Sequence, residues 1–227
     1  MCRFHETTKN NYFIMKRYWL IYFALVGTVC SSKAQQWTTD YSVYAGVTFP
    51  RYFLSDISSG VSREASPTVN GQLAALVTVF PTKYVGVETG LSIVGLGAAL
   101  EKSEFGSREV TQHTYWLQVP LSVVGKVPFS DSSHVFVKAG GYFGYGLYGK
   151  NYLSSSYDGS ASRDFSFGDG GTQQSTDYGF SMGIGYQTKQ GYAISFNYLA
   201  GIRNIAPARA SYSQRNGAYS LSIGYRF

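Results

Sequence analysis

The sequence predicts an all-β fold: an eight-stranded antiparallel up-and-down transmembrane β-barrel, with short turns at one end and longer loops at the other. From about residue 39 to the C-terminus, apolar residues alternate with small or polar ones, which is the period of a half-buried strand. The alternating segments number eight, and the connections between them alternate in length. Charged residues make up only 14% of the chain and aromatic residues 17%, whereas an ordinary domain is about 25% charged.

Each predicted strand has one apolar or aromatic face and one face of Gly, Ser, Thr and occasional charges. The eight strands are predicted at residues 39–49, 68–80, 84–100, 111–126, 134–149, 176–187, 192–204 and 217–227. In chain order, their apolar faces run from Tyr41 to Phe49, Leu73 to Val79, Val85 to Ile93, Tyr115 to Val123, Val135 to Leu147, Tyr178 to Tyr186, Tyr192 to Ile202 and Tyr219 to Phe227.

The connections favour a membrane barrel. The short ones, rich in Pro, Gly, Ser and Asp, lie at residues 80–83, 127–133 and 188–191. The longer, polar ones lie at residues 50–67, 101–110, 150–175 and 205–216. Outer-membrane barrels have short periplasmic turns and longer extracellular loops, so both ends of the mature chain are expected on the periplasmic side.

A soluble β-sandwich or a lipocalin-like barrel is the alternative reading of the same alternation. In those folds the apolar face points into a core and the outer face carries charge. Here the polar face is mostly glycine and serine, which suits the crowded lumen of a small barrel. A closed barrel also satisfies every backbone N–H and C=O internally, as hydrocarbon requires.

The N-terminus has the layout of a cleavable signal peptide. Lys16 and Arg17 precede an apolar stretch at residues 18–29 that is short for a membrane-spanning helix. Small residues at Ser32 and Ala34 place the cut before Gln35. We therefore divide the chain into residues 1–34, an N-terminal extension plus signal peptide, and residues 35–227, an outer-membrane β-barrel domain. An uncleaved N-terminal anchor is the alternative.

The leader also holds both cysteines and much of the charge. Because Cys2 and Cys30 precede the predicted cut, the mature chain has no disulfide and no thiolate metal site. Cys30 follows Val29, where a lipoprotein signal has a small residue, so its resemblance to a lipidation site is weak. Met15 directly precedes the basic region, so either Met1 or Met15 can be the true start. The formal charge of +6 falls to +2 without the leader, and no nucleic-acid partner is expected.

The C-terminal strand resembles the signal that ends many outer-membrane proteins. That signal has a terminal aromatic residue with alternating apolar residues before it, and the barrel-assembly machinery reads it. An ordinary terminal strand is the alternative interpretation. The residues of the predicted C-terminal assembly signal are Tyr219, Leu221, Ile223, Tyr225 and Phe227.

The middle of the chain resembles a family. Residues 115–126 (YWLQVPLSVVGK) and 135–144 (VFVKAGGYFG) look like the "L-E-I-P-L-L-L-K-Y" strand and the following "G-x-G-x-Y" strand of the PorT-like outer-membrane β-barrel domain family of Bacteroidota. Gln118 and Val119 stand where that family often has Glu and Ile. The resemblance implies an outer-membrane barrel of about eight strands. Most members have no assigned activity, and a few, PorT among them, assist secretion or gliding machinery.

One polar cluster is expected inside the barrel. Glu88 and Lys138 occupy inward positions near the periplasmic ends of their strands, and Gln118 on the strand between could bridge them. A buried charge needs a partner, and an eight-stranded lumen is filled by side chains. We therefore interpret the three as a structural ion pair or polar plug, with transport or gating as the alternative.

Other candidate sites are weaker. His134 beside Ser132 and Ser133, and His113 near Glu109, contain the residue types of nucleophilic catalysis but match no motif of an outer-membrane deacylase or protease. Acidic residues among glycines in the loop 150–175 could bind Ca²⁺, although no EF-hand spacing is present. Its aromatic residues could contact a protein or a glycan. The acidic residues are Asp158, Asp164 and Asp169.

The sequence thus predicts a non-enzymatic protein of the outer membrane of a Gram-negative bacterium, with a structural or interaction role. It would bind through its extracellular loops or act as an accessory to an envelope or secretion complex. The expected partners are outer-membrane lipid, the barrel-assembly machinery and an extracellular or envelope protein; no catalytic residue, metal or cofactor is predicted. A small-solute porin is the alternative, although aqueous channels need about 16 strands. An outer-membrane lipid-modifying enzyme and a soluble exported β protein are further alternatives.

Overall fold

The computed structural model of the chain describes residues 37–100, 109–130, 133–154, 161–168, 170–208 and 210–227. The chain divides into residues Met1–Gln36 and a second unit, Trp37–Phe227. The predicted signal peptide, both cysteines and the two candidate start residues therefore lie outside the described residues. No helix in the described part of the chain is long and apolar enough to cross a membrane.

The second unit consists of β-strands. The eight long ones differ in length, from ten residues in β9 to 22 in β5 and β6. Two short strands, β2 and β7, lie in the connections. The bounds are β1 Thr38–Asp56, β2 Ser62–Glu64, β3 Asn70–Phe80, β4 Val85–Leu100, β5 Glu109–Ser130, β6 Ser133–Ser154, β7 Ala161–Asp164, β8 Thr176–Gln187, β9 Tyr192–Gly201 and β10 Tyr212–Arg226.

The long strands form a closed antiparallel ring in the order β10-β9-β8-β6-β5-β4-β3-β1, with β10 also paired to β1. That closing pair runs from Ser42 opposite Arg226 to Asp56 opposite Tyr212. Since each long strand has a neighbour on both sides, the ring has no open edge for its backbone groups. The predicted eight-stranded up-and-down barrel is confirmed.

The eight long strands lie where they were predicted, but several of them begin or end at different residues. β1 continues to Asp56 through the segment predicted as a loop, and β10 begins earlier, at Tyr212. The short strands β2 and β7, which pair with β1 and β6, also lie in predicted loops. β9 ends at Gly201, before the predicted end at residue 204. These differences lie on the loop side, where strands outside the apolar band lose the simple alternation that marks them in the sequence.

The outward side chains form an apolar band bounded by aromatic residues. Leu121 is 62% exposed and Ile223 69%, values that fit contact with lipid and not a buried core. We call the two aromatic sets the periplasmic girdle (Tyr41, Tyr84, Tyr186, Tyr192 and Tyr225) and the outer girdle (Phe49, Tyr115, Tyr148, Tyr178 and Tyr219), which lie toward opposite ends of the strands.

A β-bulge interrupts the long β5–β6 pair. Tyr115 lies opposite Tyr148 while Trp116 lies opposite Gly146, so Leu147 is the extra residue. Because successive side chains point to opposite faces, this extra residue reverses the alternation in the rest of β6. Leu147 and Tyr148 are both exposed, and Gly149 after them is buried.

Candidate functional site

The lumen contains the predicted ion pair. Lys138 Nζ on β6 lies 3.0 Å from Glu88 Oε1 on β4, and both side chains are largely buried. Thr78 Oγ1 on β3 donates a hydrogen bond to Glu88 Oε2 at 3.4 Å. Both charges occupy the inward positions that the alternation assigned to them, so the structure brings these two residues together.

Gln118 shares the lumen but does not bridge the pair. Lys138 reaches Glu88 directly, and Gln118 Nε2 has no hydrogen-bond partner among the described residues. All three residues line a cavity of about 110 Å³, together with Asn197, whose Oδ1 also lacks a partner in the described part of the chain. A water needs about 10–15 Å³ and two to four polar partners, so the cavity is suited to hold several waters.

Glycine leaves room for these side chains where strands approach closely. A Cβ at Gly140 would lie 2.0 Å from the backbone oxygen of Leu121, and one at Gly183 would lie 2.2 Å from Asn197 Oδ1. Gly140 follows Lys138 on the inward face of β6. The inward glycines are therefore a packing requirement of a narrow barrel.

A second charged group closes the periplasmic end of the lumen. Asp40 Oδ2 accepts hydrogen bonds from Lys126 Nζ at 2.8 Å and from Arg226 Nη1 at 2.9 Å. With its amide oriented to satisfy its neighbours, Gln187 donates to His134 Nε2 at 3.2 Å and accepts from Arg226 Nε at 2.6 Å. We call these five residues the periplasmic cluster.

An apolar core fills the lumen at the extracellular end. Trp116 is fully buried, and its indole Nε1 donates to Thr114 Oγ1 at 3.0 Å. Phe167, beyond β7, packs edge-on against Trp116 with ring centroids 5.1 Å apart. We call this group the extracellular core; its fully or largely buried members are Tyr52, Ala65, Val94, Leu96, Ala98, Leu100, Trp116, Ile205 and Ala218.

A buried carboxylate lies near this core, on the second residue of β8. Asp177 Oδ2 accepts hydrogen bonds from Tyr142 Oη at 2.9 Å and from Asn216 Nδ2 at 2.8 Å. The side chain of Asp177 is fully buried. Its two partners come from β6 and β10, so one carboxylate ties three strands together across the inside of the ring.

Among the described residues, the side-chain hydrogen-bond partners of the two histidines are the amides of Asn70 and Gln187. His134 belongs to the periplasmic cluster, and Ser132 lies outside the described residues. His113 Nδ1 lies 2.6 Å from Asn70 Oδ1, and its ring meets Tyr152 edge-on at 5.6 Å. The side chain of Glu109, its predicted neighbour, is outside the described part.

The candidate Ca²⁺ ligands cannot be placed by the structure. Asp158 and Asp169 lie outside the described residues, as does the side chain of Asp164. Within the described ranges, no group of three or more His, Cys, Asp or Glu residues could hold a metal ion.

The predicted assembly signal lies on the strand that closes the ring. β10 pairs with both β1 and β9, and the Phe227 backbone N–H donates to the Tyr41 carbonyl at 2.9 Å. All five side chains of the signal are exposed on the outer face, with Phe227 74% exposed. Recognition of this strand by the barrel-assembly machinery stays a prediction.

Sequence reasoning missed three features of the interior. They are the cation pair on Asp40, the Asp177 network and the extracellular core. The alternation itself carried a signal for the first, since Asp40, Lys126 and Arg226 all occupy inward positions near periplasmic strand ends. The alternation carried no signal for Phe167, because this residue reaches the lumen from the connection after β7.

A closed eight-stranded ring with an apolar outer band, two aromatic girdles and a filled lumen defines a small membrane β-barrel. Residues 33–206 match the model of the family described as "Outer membrane protein beta-barrel domain". Because the match covers most of the chain, the chain belongs to this family. It is therefore a protein of the outer membrane of a Gram-negative bacterium. A comparison with curated proteins finds no match.

Solved structures of small outer-membrane proteins are also similar to the chain. Ail of Yersinia pestis, solved in complex with the heparin analogue sucrose octasulfate, is 15% identical, with a TM-score of 0.43 over 83% of this chain and 99% of that chain. OprG of Pseudomonas aeruginosa is 13% identical, with a TM-score of 0.43 over 84% of this chain and 96% of that chain. The outer membrane protease OmpT of Escherichia coli is 10% identical, with a TM-score of 0.40 over 86% of this chain and 98% of that chain. At these values the likeness carries no information on activity or ligand.

Proposed function

We propose that this protein is a non-enzymatic interaction protein of the outer membrane, which binds another protein through its extracellular loops. The observation that carries the proposal is the extracellular core. It fills the lumen on the side where the loops are and supports them with packed side chains. A filled lumen is suited to display a binding surface, because binding sites are commonly loops held on a rigid scaffold.

The hairpin between β1 and β2 is the candidate surface that we favour, because side-chain hydrogen bonds hold its turn. Asp56 Oδ1 accepts hydrogen bonds from the Ser58 backbone N–H at 2.7 Å, the Ser58 hydroxyl at 2.6 Å and the Ser59 N–H at 3.1 Å. At its tip, Ile57 is 67% exposed and Val61 51%. A preorganised turn that displays two aliphatic side chains costs little ordering entropy when a partner binds.

The filled lumen also weighs against the porin alternative. Solute would have to pass the periplasmic cluster, the Glu88–Lys138 pair and the buried Trp116. The lumen cavity of about 110 Å³ is small beside the channels of barrels with 16 or more strands. Planar-bilayer recordings test this directly, because a porin would show discrete conductance steps and a plugged barrel would not.

The proposal of a non-enzymatic role is supported by the partners of the two histidines. His113 bonds to an amide oxygen of Asn70 and His134 faces the Gln187 amide. In the described part of the chain neither ring is hydrogen-bonded to a hydroxyl that it could activate as a nucleophile. The lipid-modifying alternative predicts a changed lipid A mass spectrum when the protein is expressed, and unchanged lipid A would exclude it.

Within the family, we propose that the chain belongs to the PorT-like group of Bacteroidota, because its segments 115–126 and 135–144 resemble two strands of that group. The corresponding role would be that of an accessory to an envelope or secretion complex. Deletion of the gene in its own host tests this role, since an accessory of secretion would leave exported proteins inside the cell while the envelope stays intact.

The loop-binding proposal is tested with a photo-crosslinking amino acid at position 57 in growing cells. We expect a discrete protein adduct. The same group at Leu121, which is equally exposed at 62% but lies in the apolar band, serves as the matched control and should react with lipid alone. Lipid adducts at both positions, or no adduct at position 57, would contradict the proposal.

A further inference from the structure

A groove on the outer surface of the barrel lies at the level of the outer girdle. One wall is formed by Val47, Val69 and Gly71, and the other by side chains of β5 and β6. Between them runs β4, where Gly95 lies opposite Tyr115 and Gly97 opposite His113. Both glycines are buried, and Asn70 of β3, which also lines the groove, lies with its Cβ 2.6 Å from the position of a Cβ at Gly95. The β5 and β6 wall consists of His113, Tyr115, Tyr148, Lys150 and Tyr152.

The β-bulge at Leu147 builds this second wall. Without the extra residue, the alternation of β6 would direct Tyr148, Lys150 and Tyr152 inward. With it, these three side chains lie on the outer face, opposite Tyr115, His113 and Thr111. Bulges commonly re-aim side chains at functional positions, and here one bulge moves a cation and two tyrosines to a surface that meets the membrane.

The β5 and β6 wall is held in place by side-chain hydrogen bonds and ring contacts. Asn70 Nδ2 donates to Leu96 O and Thr68 Oγ1, so its Oδ1 is the acceptor that faces His113. His113 Nδ1 is therefore the donor in that 2.6 Å bond, and Nε2 is the ring nitrogen turned to other partners. The ring of Tyr152 packs on His113, and Lys150 Nζ lies 5.9 Å from the Tyr148 ring centroid.

Cations recur at this level of the outer surface. Arg51 lies 5.8 Å from the Tyr219 ring and Arg203 lies 6.0 Å from the Tyr178 ring, both tyrosines of the outer girdle. At the periplasmic girdle, the described residues show one such pair on the outer surface, Lys83 over Tyr84 at 5.5 Å. The headgroup level of the outer leaflet is thus lined by more stacked cations than that of the inner leaflet.

We propose that the groove binds one molecule of the anionic glycolipid of the outer leaflet. An acyl chain would lie over Gly71 between Val47 and Val69, continuous with the apolar band. A phosphate of the headgroup would accept hydrogen bonds from Lys150 Nζ, and sugar hydroxyls would meet the Tyr152 hydroxyl and donate to His113 Nε2, the acceptor nitrogen of the ring. Basic pockets at the membrane interface bind lipid headgroups in this way, and charge-assisted hydrogen bonds to phosphate are the strong ones.

The test uses native mass spectrometry of the full mature protein, released from detergent after incubation with defined lipids. The probes are bisphosphorylated lipid A, the same lipid A without its phosphates, and phosphatidylglycerol. We expect one bound lipid A per barrel and at least about tenfold weaker binding of the dephosphorylated form, the effect of losing one hydrogen bond to a charged group. Phosphatidylglycerol keeps a phosphate but has no sugar for Tyr152, so it should also bind more weakly than lipid A.

Three variants distinguish a specific lipid-binding site from nonspecific electrostatic attraction between the lipid and the protein. Lys150→Ser should weaken lipid A binding about tenfold, whereas Lys83→Ser, the matched cation at the opposite girdle, should leave it unchanged. Gly71→Leu should also abolish binding, because only one backbone atom lies within 4 Å of a Cβ at Gly71 and a leucine there would fill the groove. The boiling-dependent gel shift checks that each variant still folds.

Equal retention of lipid A with and without phosphate would overturn the proposal. So would an equal loss in the Lys83→Ser and Lys150→Ser variants, or unchanged binding in the Gly71→Leu variant. A photo-crosslinking amino acid at position 150 that gives a protein adduct in cells, in place of a lipid adduct, would also overturn it, because the groove would then bind a protein. None of these outcomes affects the proposed role of the hairpin tip, which is tested separately at position 57.

Discussion

Phe167 packs the edge of its ring against the indole of Trp116, with ring centroids 5.1 Å apart. Trp116 belongs to the wall of the barrel and Phe167 to the connection after β7. Their contact is the point at which an extracellular segment enters the lumen. It couples the order of the loop to the packing of the barrel interior, since an aromatic pair adds about 0.5–1.5 kcal/mol beyond its area burial.

Phe167→Ala should therefore lower the stability of the folded barrel. We expect a loss of about 2 kcal/mol, below the 3–5 kcal/mol of a fully buried phenylalanine because Phe167 is partly exposed. Urea titration of the heat-modifiable band in detergent measures it. Ile57→Ala, at the exposed hairpin tip, is the control, and an equal shift in the two variants would show that the contact contributes nothing.

Removing one partner of the Glu88–Lys138 pair should destabilise the barrel more than removing both, as for a buried ion pair. Glu88→Gln or Lys138→Met alone leaves one charge in the lumen without its partner. Each should cost about 1–3 kcal/mol of unfolding free energy, below the 3–5 kcal/mol of a fully buried pair, because both residues line a cavity that is suited to hold water. The double variant should recover most of that loss. Glu64→Gln, which breaks the exposed Arg51–Glu64 pair, should cost no more than about 1 kcal/mol. Strictly additive losses in the double variant would contradict the coupling.

Gly140 tests the packing of the inward face. Gly140→Ala places a methyl group 2.0 Å from the Leu121 carbonyl oxygen, so β5 and β6 must separate. We expect a loss of at least about 2 kcal/mol, typical of overpacking, and a smaller heat-modifiable fraction in membranes. Gly125→Ala is the matched control, because its nearest atom would be a side-chain carbon at 3.5 Å. Equal assembly of the two variants would exclude a steric role for Gly140.

The strands and their faces could be predicted from the sequence because the membrane imposes a strict two-residue alternation on them. The ion pair followed from the same alternation, since Glu88 and Lys138 are charges on an otherwise small inward face. The same alternation places Asp40 and Arg226 inward, but it does not predict that they pair, because they are 186 positions apart and meet only once the ring has closed.

Outside the apolar band the sequence was less informative. Leu147 cannot be recognised as a bulged residue from local composition, so the outward positions of Lys150 and Tyr152 were missed. The residues of β1 beyond Phe49 pair with β10 at the level of the extracellular core, where Tyr52 is buried and Leu54 packs against it. The apolar side chains there face inward and not outward, so the pattern that marks the membrane part of the strand no longer holds. Phe167 enters the lumen through tertiary packing, for which a connection has no periodic signal.

Asp40→Asn should disturb the periplasmic cluster more than the loss of either cation. The substitution leaves Lys126 and Arg226 facing each other without a carboxylate, so we expect a loss of about 2–3 kcal/mol. Adding Lys126→Met should restore part of the stability, because only one cation then remains. Urea titration of the single and double variants measures the coupling. A double variant less stable than Asp40→Asn would show that Lys126 stabilises the barrel mainly through its contact with Phe80, 3.5 Å from the ring centroid.

The C-terminal residue provides a test of assembly separate from stability. Phe227 is 74% exposed and touches the Tyr225 ring at a centroid distance of 5.2 Å. Phe227→Ser should thus change little in the refolding of purified protein into detergent micelles. In cells, if the residue ends a signal that the assembly machinery reads, the same variant should lower the amount of folded barrel in the outer membrane several-fold.

Phe129→Ser is the matched control for this comparison. Phe129 is also 74% exposed at the periplasmic end of the barrel and also meets a tyrosine ring, that of Tyr186 at 6.3 Å. It therefore loses the same kind of contact but lies at the end of β5, not at the end of the chain. A deficit in cells confined to Phe227→Ser would assign the effect to recognition of the C-terminus. Equal deficits in cells, or a matching defect in refolding, would assign it to the lost aromatic contact.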